Sequence, residues 1–142
     1  MEDLVERITR GNVTEVKVVL ATVAAAVAVY QVTLAAVIYG RLRVPVLSSP
    51  VASIAHRSIG DALVVVIALV ALMCVSVYGF ETEEGALHVI AGTLLLVFLA
   101  VKIAVLKWWH GLNSLLPGLG ITVFILLLVT WFSSAGDFLG VG

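Results

Sequence analysis

Four long stretches of the chain are made of hydrophobic residues with almost no charge. They run over residues 18–40, 62–80, 85–106 and 111–136, and Lys102 is the single Lys, Arg, Asp or Glu within them. Each is long enough to cross the hydrocarbon core, which takes about 20 helical residues. Runs such as ITVFILLLV lack the alternation of polar and apolar residues that membrane β-strands show. The pattern predicts an all-α integral membrane protein.

Residues at the ends of these stretches set the limits of the predicted helices. Asn12 and Glu15 resemble a capping box, and Ser49 followed by Pro50 resembles an N-cap and a first-turn proline. The connections are roughly ten residues or shorter, so consecutive helices run antiparallel. The prediction is a single up-down four-helix transmembrane bundle, preceded by a short amphipathic or frayed segment at residues 1–12. The predicted spans cover about residues 16–40, 51–79, 86–109 and 115–135.

Composition supports a membrane location. Hydrophobic residues make up 62% of the 142 residues and charged residues 12%, against about 45–50% and about 25% in soluble domains. The mean hydropathy is +1.20. A water-soluble fold of this size has too little interior for so much apolar surface, so the excess is expected to face lipid.

The basic residues give an orientation. Four of them flank the first and third loops, and two lie in the N-terminal segment on the opposite side, with Lys17 at its boundary. The first group is Arg41, Arg43, Arg57 and Lys107, and the second is Arg7 and Arg10. Since Lys and Arg concentrate in cytoplasmic loops, we expect the first and third loops to be cytoplasmic.

The sequence does not contain the characteristic residues of several classes of membrane protein and enzyme. Cys74 is the only cysteine, which excludes CxxC redox chemistry within the chain. The first span carries no acidic residue of the kind expected in a small multidrug exporter. Phosphate-loop, zinc-protease and serine-nucleophile motifs are absent, and the few basic residues form no nucleic-acid surface. No residue is assigned a catalytic role.

The three histidines are the strongest candidates for chemistry, because ionisable side chains within spans often mark function. His56 and His88 each open a span and each is followed four residues later by a glycine, Gly60 and Gly92. A glycine one turn further along the same face leaves room for a flat ligand or for a neighbouring helix. The polar residues of the first span, Gln31, Thr33 and Thr22, are expected to form hydrogen bonds between helices.

Two pairs of ligands for haem b follow from helical spacing. If the third span continues to His110, this residue and His56 lie at similar depth on neighbouring antiparallel helices, as bis-histidine ligation requires. Arg57 or Lys102 would then meet the haem propionates. The second pair is His88 with Met73, which straight helices would leave offset by about 7 Å along the bundle axis. For each histidine, an interfacial or hydrogen-bonding role remains the alternative.

The HRSIG phrase and the four-span plan resemble the four-helix cores of membrane b-type cytochromes and ferric-reductase-like proteins. Residues from about 30 to 131 more closely resemble a prokaryotic four-span family of unknown function, which implies a plasma-membrane location. The matching residues are His56, Arg57, Gly60, Cys74, His88, Lys102 and Trp131. Met73 departs from this pattern, because it stands where a second histidine would precede Cys74.

Two hypotheses follow from these observations. In the first, the protein carries haem b between the second and third spans and transfers electrons, which a quinone or a redox partner protein must bring because little of the chain lies outside the bilayer. In the second, it is a non-catalytic subunit that packs against larger membrane partners or copies of itself, and its histidines serve only structure.

Overall fold

The computed structural model describes residues 2–79 and 85–140, and their regular structure is helical apart from an isolated bridge between Val44 and Leu47. The helices are α1 (Glu2–Thr9), α2 (Val13–Ile38), α3 (Ser49–Tyr78), α4 (Ala86–Lys107), a 3-10 helix (His110–Leu115), α5 (Leu116–Trp131) and a π-helix (Phe132–Gly136). The segment expected to be amphipathic or frayed therefore contains α1, which contacts α2 and α3.

Four helical segments of the described chain are long and apolar enough to cross a membrane. They are Val13–Ile38, Ser49–Ser76, Ala86–Lys107 and His110–Gly136. Large apolar side chains cover their outer faces, among them Val65, Leu69 and Leu72 of α3. Such a surface is stable against lipid and not against water. The prediction of an all-α, four-span integral membrane protein is confirmed.

Some of the helix ends show the residues that usually begin or end a helix, and others do not. Pro50 lies in the first turn of α3, where its fixed φ and missing N–H are tolerated, and Ser48 rather than Ser49 is the N-cap residue. Gly79 ends α3 with φ 62, a conformation that favours glycine. Asn12 is the N-cap residue of α2, but its side chain makes no capping hydrogen bond, so the capping box expected with Glu15 does not form.

We call the side of the bundle that holds residues 39–48 and 108–115 the first-loop side, and the opposite side, where α3 ends and α4 begins, the second-loop side. Along the bundle, α2 packs against α3 and α5, and α5 packs against α4. Among the described residues, the backbones of α3 and α4 form no comparable contact. The two helices meet through side chains near mid-bundle, where Ile67 joins a buried cluster with Leu95 and Leu99.

Candidate functional site

A cavity of about 880 Å³ lies within the second-loop half of the bundle, and all four spanning helices contribute to its wall. Its apolar lining includes Ile67 and Leu95, which belong to the buried mid-bundle cluster. The space lies where the backbones of α3 and α4 are not packed together. Polar and sulfur-containing side chains also border it, among them Lys17, Cys74, His88, Thr130, Ser133 and Ser134.

His88 is held by the end of α5. Its Nδ1 atom lies 3.2 Å from the carbonyl oxygen of Thr130 and 3.3 Å from Oγ of Ser133. A carbonyl oxygen can only accept, so Nδ1 carries the hydrogen and donates it. In the neutral imidazole the lone pair is then on Nε2, as in histidines whose second nitrogen binds a metal. His88 stands out in the sequence as an ionisable residue, but the sequence does not indicate these hydrogen-bond partners on α5 and the π-helix.

The carbonyl oxygen of Thr130, just before the π-helix, accepts several hydrogen bonds. The hydroxyls of Ser133 and Ser134 each donate to it at 3.1 Å. Single π-helical turns often occur at functional sites, because the wider turn changes the partners of nearby carbonyls. Gly92 lies beside the same region, and a Cβ added there would be 3.8 Å from Cγ2 of Thr130. Gly92 also borders the cavity, so it lies both against a neighbouring helix and beside the open space.

The cavity does not unite the predicted pair of His88 and Met73. The α3 residue with a sulfur atom that borders the cavity is Cys74, and Met73 is not part of the lining that the structure describes. Met73 and Cys74 point about 100° apart on α3, and the cavity is on the Cys74 side. Lys17 also borders the cavity, although the sequence analysis used it only in the orientation count. Lys17 lies at the second-loop end of the first span, and this position in the sequence is the signal that could have placed it near the cavity.

The arrangement of His56 and His110 differs from the expectation. Helix α4 ends at Lys107, and His110 begins the 3-10 helix with its side chain exposed. The helical continuity on which the pairing rested was therefore wrong, since the chain leaves the α-helix at Trp108 before reaching His110. His56 instead lies within electrostatic range of Lys102, and Arg57 is exposed.

A second polar group surrounds His56 in the first-loop half of the bundle. The ring of His56 lies beside the backbone of Gln31. A Cβ added at Gly60 would be 3.9 Å from both amide atoms of Gln31, and one added at Gly120 would be 3.9 Å from Nζ of Lys102. From Lys102 to His88 is about 21 Å along α4, at about 1.5 Å per residue. The group around His56 and Lys102 and the group around His88 therefore lie in opposite halves of the bundle.

The part of the chain that the structure describes contains no group of three or more His, Cys, Asp or Glu side chains placed to hold a metal ion.

Comparison with known proteins identifies a family. No curated protein and no solved structure matches the chain. Residues 5–141 match the Family of unknown function (DUF6529), which covers almost the whole sequence. The chain belongs to the DUF6529 family.

Proposed function

We propose that the protein is a membrane-embedded electron-transfer protein that binds one haem b in the cavity between α3 and α4, where His88 would hold the iron. The observation that supports this proposal is the hydrogen bond from Nδ1 of His88 to Thr130, 3.2 Å long, at the wall of the cavity. It leaves Nε2 able to bind iron, and it holds the imidazole in one orientation.

The cavity residues fit a haem with a single histidine ligand. The volume of about 880 Å³ lies within the range of about 300–1,000 Å³ typical of ligand pockets. Its apolar walls suit a porphyrin, and Lys17 at the lining suits a propionate. Bis-histidine ligation does not fit, because His56 belongs to the other polar group and His110 is exposed. Cys74 is the remaining side chain of α3 at the cavity that carries a soft donor atom.

The chain's own residues position and shield the ligand. Thr130 and Ser133 fix the ring of His88, and apolar side chains of α3 and α4 line much of the space between these helices. A bound haem would supply one-electron exchange. We propose that a membrane-soluble quinone or a redox partner protein exchanges electrons with it, and that the first and third loops face the cytoplasm.

Haem titration tests this proposal. Hemin added to the purified protein in detergent is expected to give a Soret band and sharpened visible bands on dithionite reduction. His88→Ala should lower haem affinity at least tenfold, because it removes the imidazole that would hold the iron. His110→Ala is the matched control, because it removes an exposed imidazole outside the cavity, and its spectrum should equal that of the wild type.

Two results would contradict the proposal. One is a folded wild-type protein that takes up no haem at equimolar hemin, and the other is a His88→Ala protein with the wild-type spectrum and affinity. The first result would leave the non-catalytic subunit as the better hypothesis, since the histidines would then serve packing alone.

A further inference from the structure

The polar group in the first-loop half of the bundle lies within packed helices. Gln31 comes from α2, His56 from α3 and Lys102 from α4. Gly60 of α3 lies against the amide of Gln31, and Gly120 of α5 lies against the ammonium of Lys102. Because glycines have no side chain, polar atoms here can approach the backbones of two neighbouring helices. The group therefore contains two close helix contacts, one between α2 and α3 and one between α4 and α5, and His56 lies within electrostatic range of Lys102.

The side-chain amide of Gln31 has no hydrogen-bond partner among the described residues. Gln31 is only 8% exposed. Its Nε2 and Oε1 atoms are buried without a hydrogen-bond partner among the described residues, whereas the ring of His56 interacts with the backbone of Gln31. Buried polar groups are almost always hydrogen-bonded, because leaving them unpaired costs about 1–3 kcal/mol each. In a bundle surrounded by lipid, such atoms indicate that a further molecule or ion completes the group.

The group also carries an unbalanced positive charge. Lys102 is half-buried, and no carboxylate of the described residues acts on it. Asp61, the nearest acidic residue in sequence to His56, has an exposed side chain on α3. A cation inside a span is costly unless it is paired, and such residues tend to mark ion or substrate sites.

We propose that Gln31, His56 and Lys102 bind a small monovalent inorganic anion of about the size of chloride. The ammonium, the amide NH₂ and an imidazole N–H can all donate hydrogen bonds to it. The anion would neutralise Lys102 and satisfy the buried amide. A small ligand is favoured because the cavity of about 880 Å³ lies in the other half of the bundle and includes none of these three residues. The site does not depend on haem binding at His88.

Thermal unfolding in two salts tests the proposal. The purified protein in detergent is heated in sodium chloride or in sodium gluconate at equal ionic strength. Chloride should raise the Tm of the wild type saturably, by about 3 °C or more at concentrations far above Kd. Lys102→Met keeps the length of the side chain and removes its charge, so it should abolish this difference. Lys107→Met, at the exposed end of α4, should keep it.

The outcomes separate specific binding from general salt effects. Equal Tm values for the wild type in the two salts would overturn the proposal, and so would a chloride effect of the same size in Lys102→Met. If Lys102→Met does not fold, ³⁵Cl NMR of the wild type decides the question. Excess line width that bromide displaces supports the site, and its absence refutes it. His88→Ala should retain the chloride effect, which keeps this test independent of haem.

Discussion

Single polar residues in the spanning helices have two kinds of hydrogen bond. Several hydroxyls donate to the carbonyl four residues earlier in their own helix, as those of Thr33 and Thr122 do. A smaller number join different helices, and the indole N–H of Trp131 donates to Oγ1 of Thr22 at 3.0 Å. Only the second kind can fix how helices pack, because the first kind is satisfied within one helix.

The bond between Trp131 and Thr22 should contribute measurably to stability. Trp131→Phe and Thr22→Val each remove one partner, and each should lower the free energy of unfolding by about 0.5–1.5 kcal/mol. The double variant should lose less than the sum of the two, because both remove the same bond. Unfolding in mixed micelles with increasing SDS measures this free energy.

Thr33→Val is the matched control for Thr22→Val, because the hydroxyl of Thr33 bonds within its own helix. It should change the unfolding free energy by less than Thr22→Val does. Strictly additive effects of Trp131→Phe and Thr22→Val would show that the two side chains do not interact.

Sequence reasoning found the unusual residues but not their neighbours. His56, His88 and Lys102 stand out because ionisable groups are rare in apolar spans. The expected interhelical hydrogen bond exists for Thr22, whereas Thr33 bonds within its helix and the side-chain amide of Gln31 has no partner among the described residues. Helical spacing gives the face and depth of a residue on one helix. It does not give the distance to the next helix, which depends on how the helices pack.

At the scale of elements, hydropathy located the spans well and their ends less well. The third span was expected to reach about residue 109, and α4 ends at Lys107. Trp108 leaves the helical conformation, and the chain continues as a 3-10 helix from His110. An apolar tryptophan continues the hydropathy pattern while ending the helix, so this end could not be read from hydropathy. Because α4 ends about two residues earlier than expected, His110 is not on this helix, and its predicted pairing with His56 has no basis.

The relation between α3 and α4 shows a second limit of sequence reasoning. A short connection makes successive helices antiparallel, which supports the up-down order of the bundle. It does not require their backbones to touch, and here α3 packs on α2 while α4 packs on α5. The cavity follows from this packing. The π-helix at Phe132–Gly136 was equally invisible in the sequence, because its residues also suit an α-helix.

At the scale of the whole molecule, two polar groups lie in opposite halves of the membrane-spanning bundle. The group at His88 borders a cavity large enough for a cofactor. The group at Lys102 comes from α2, α3 and α4, and among the described residues its Gln31 amide has no hydrogen-bond partner. The intervening cluster around Ile67, Leu95 and Leu99 is apolar and buried. This layout allows one site to be altered by substitution without altering the other.

The orientation in the membrane can be tested by labelling single cysteines. In a Cys74→Ala background, Arg43→Cys places a thiol on the first-loop side and Asp137→Cys places one on the second-loop side, and both positions are exposed. Because basic residues favour the cytoplasmic face, a membrane-impermeant maleimide should label Asp137→Cys in intact cells and Arg43→Cys only after permeabilisation. The reverse pattern would contradict the proposed orientation.

The most direct test of the account is whether filling the space between α3 and α4 prevents haem binding. Ala71 borders the cavity, whereas Ala68, one turn earlier on α3, is exposed on the outer face. The measurement is the Soret absorbance of purified, folded protein titrated with hemin. We predict that Ala71→Phe loses the band because the ring occupies the cavity, and that Ala68→Phe keeps the wild-type titration. Haem uptake by Ala71→Phe equal to that of the wild type would contradict the account.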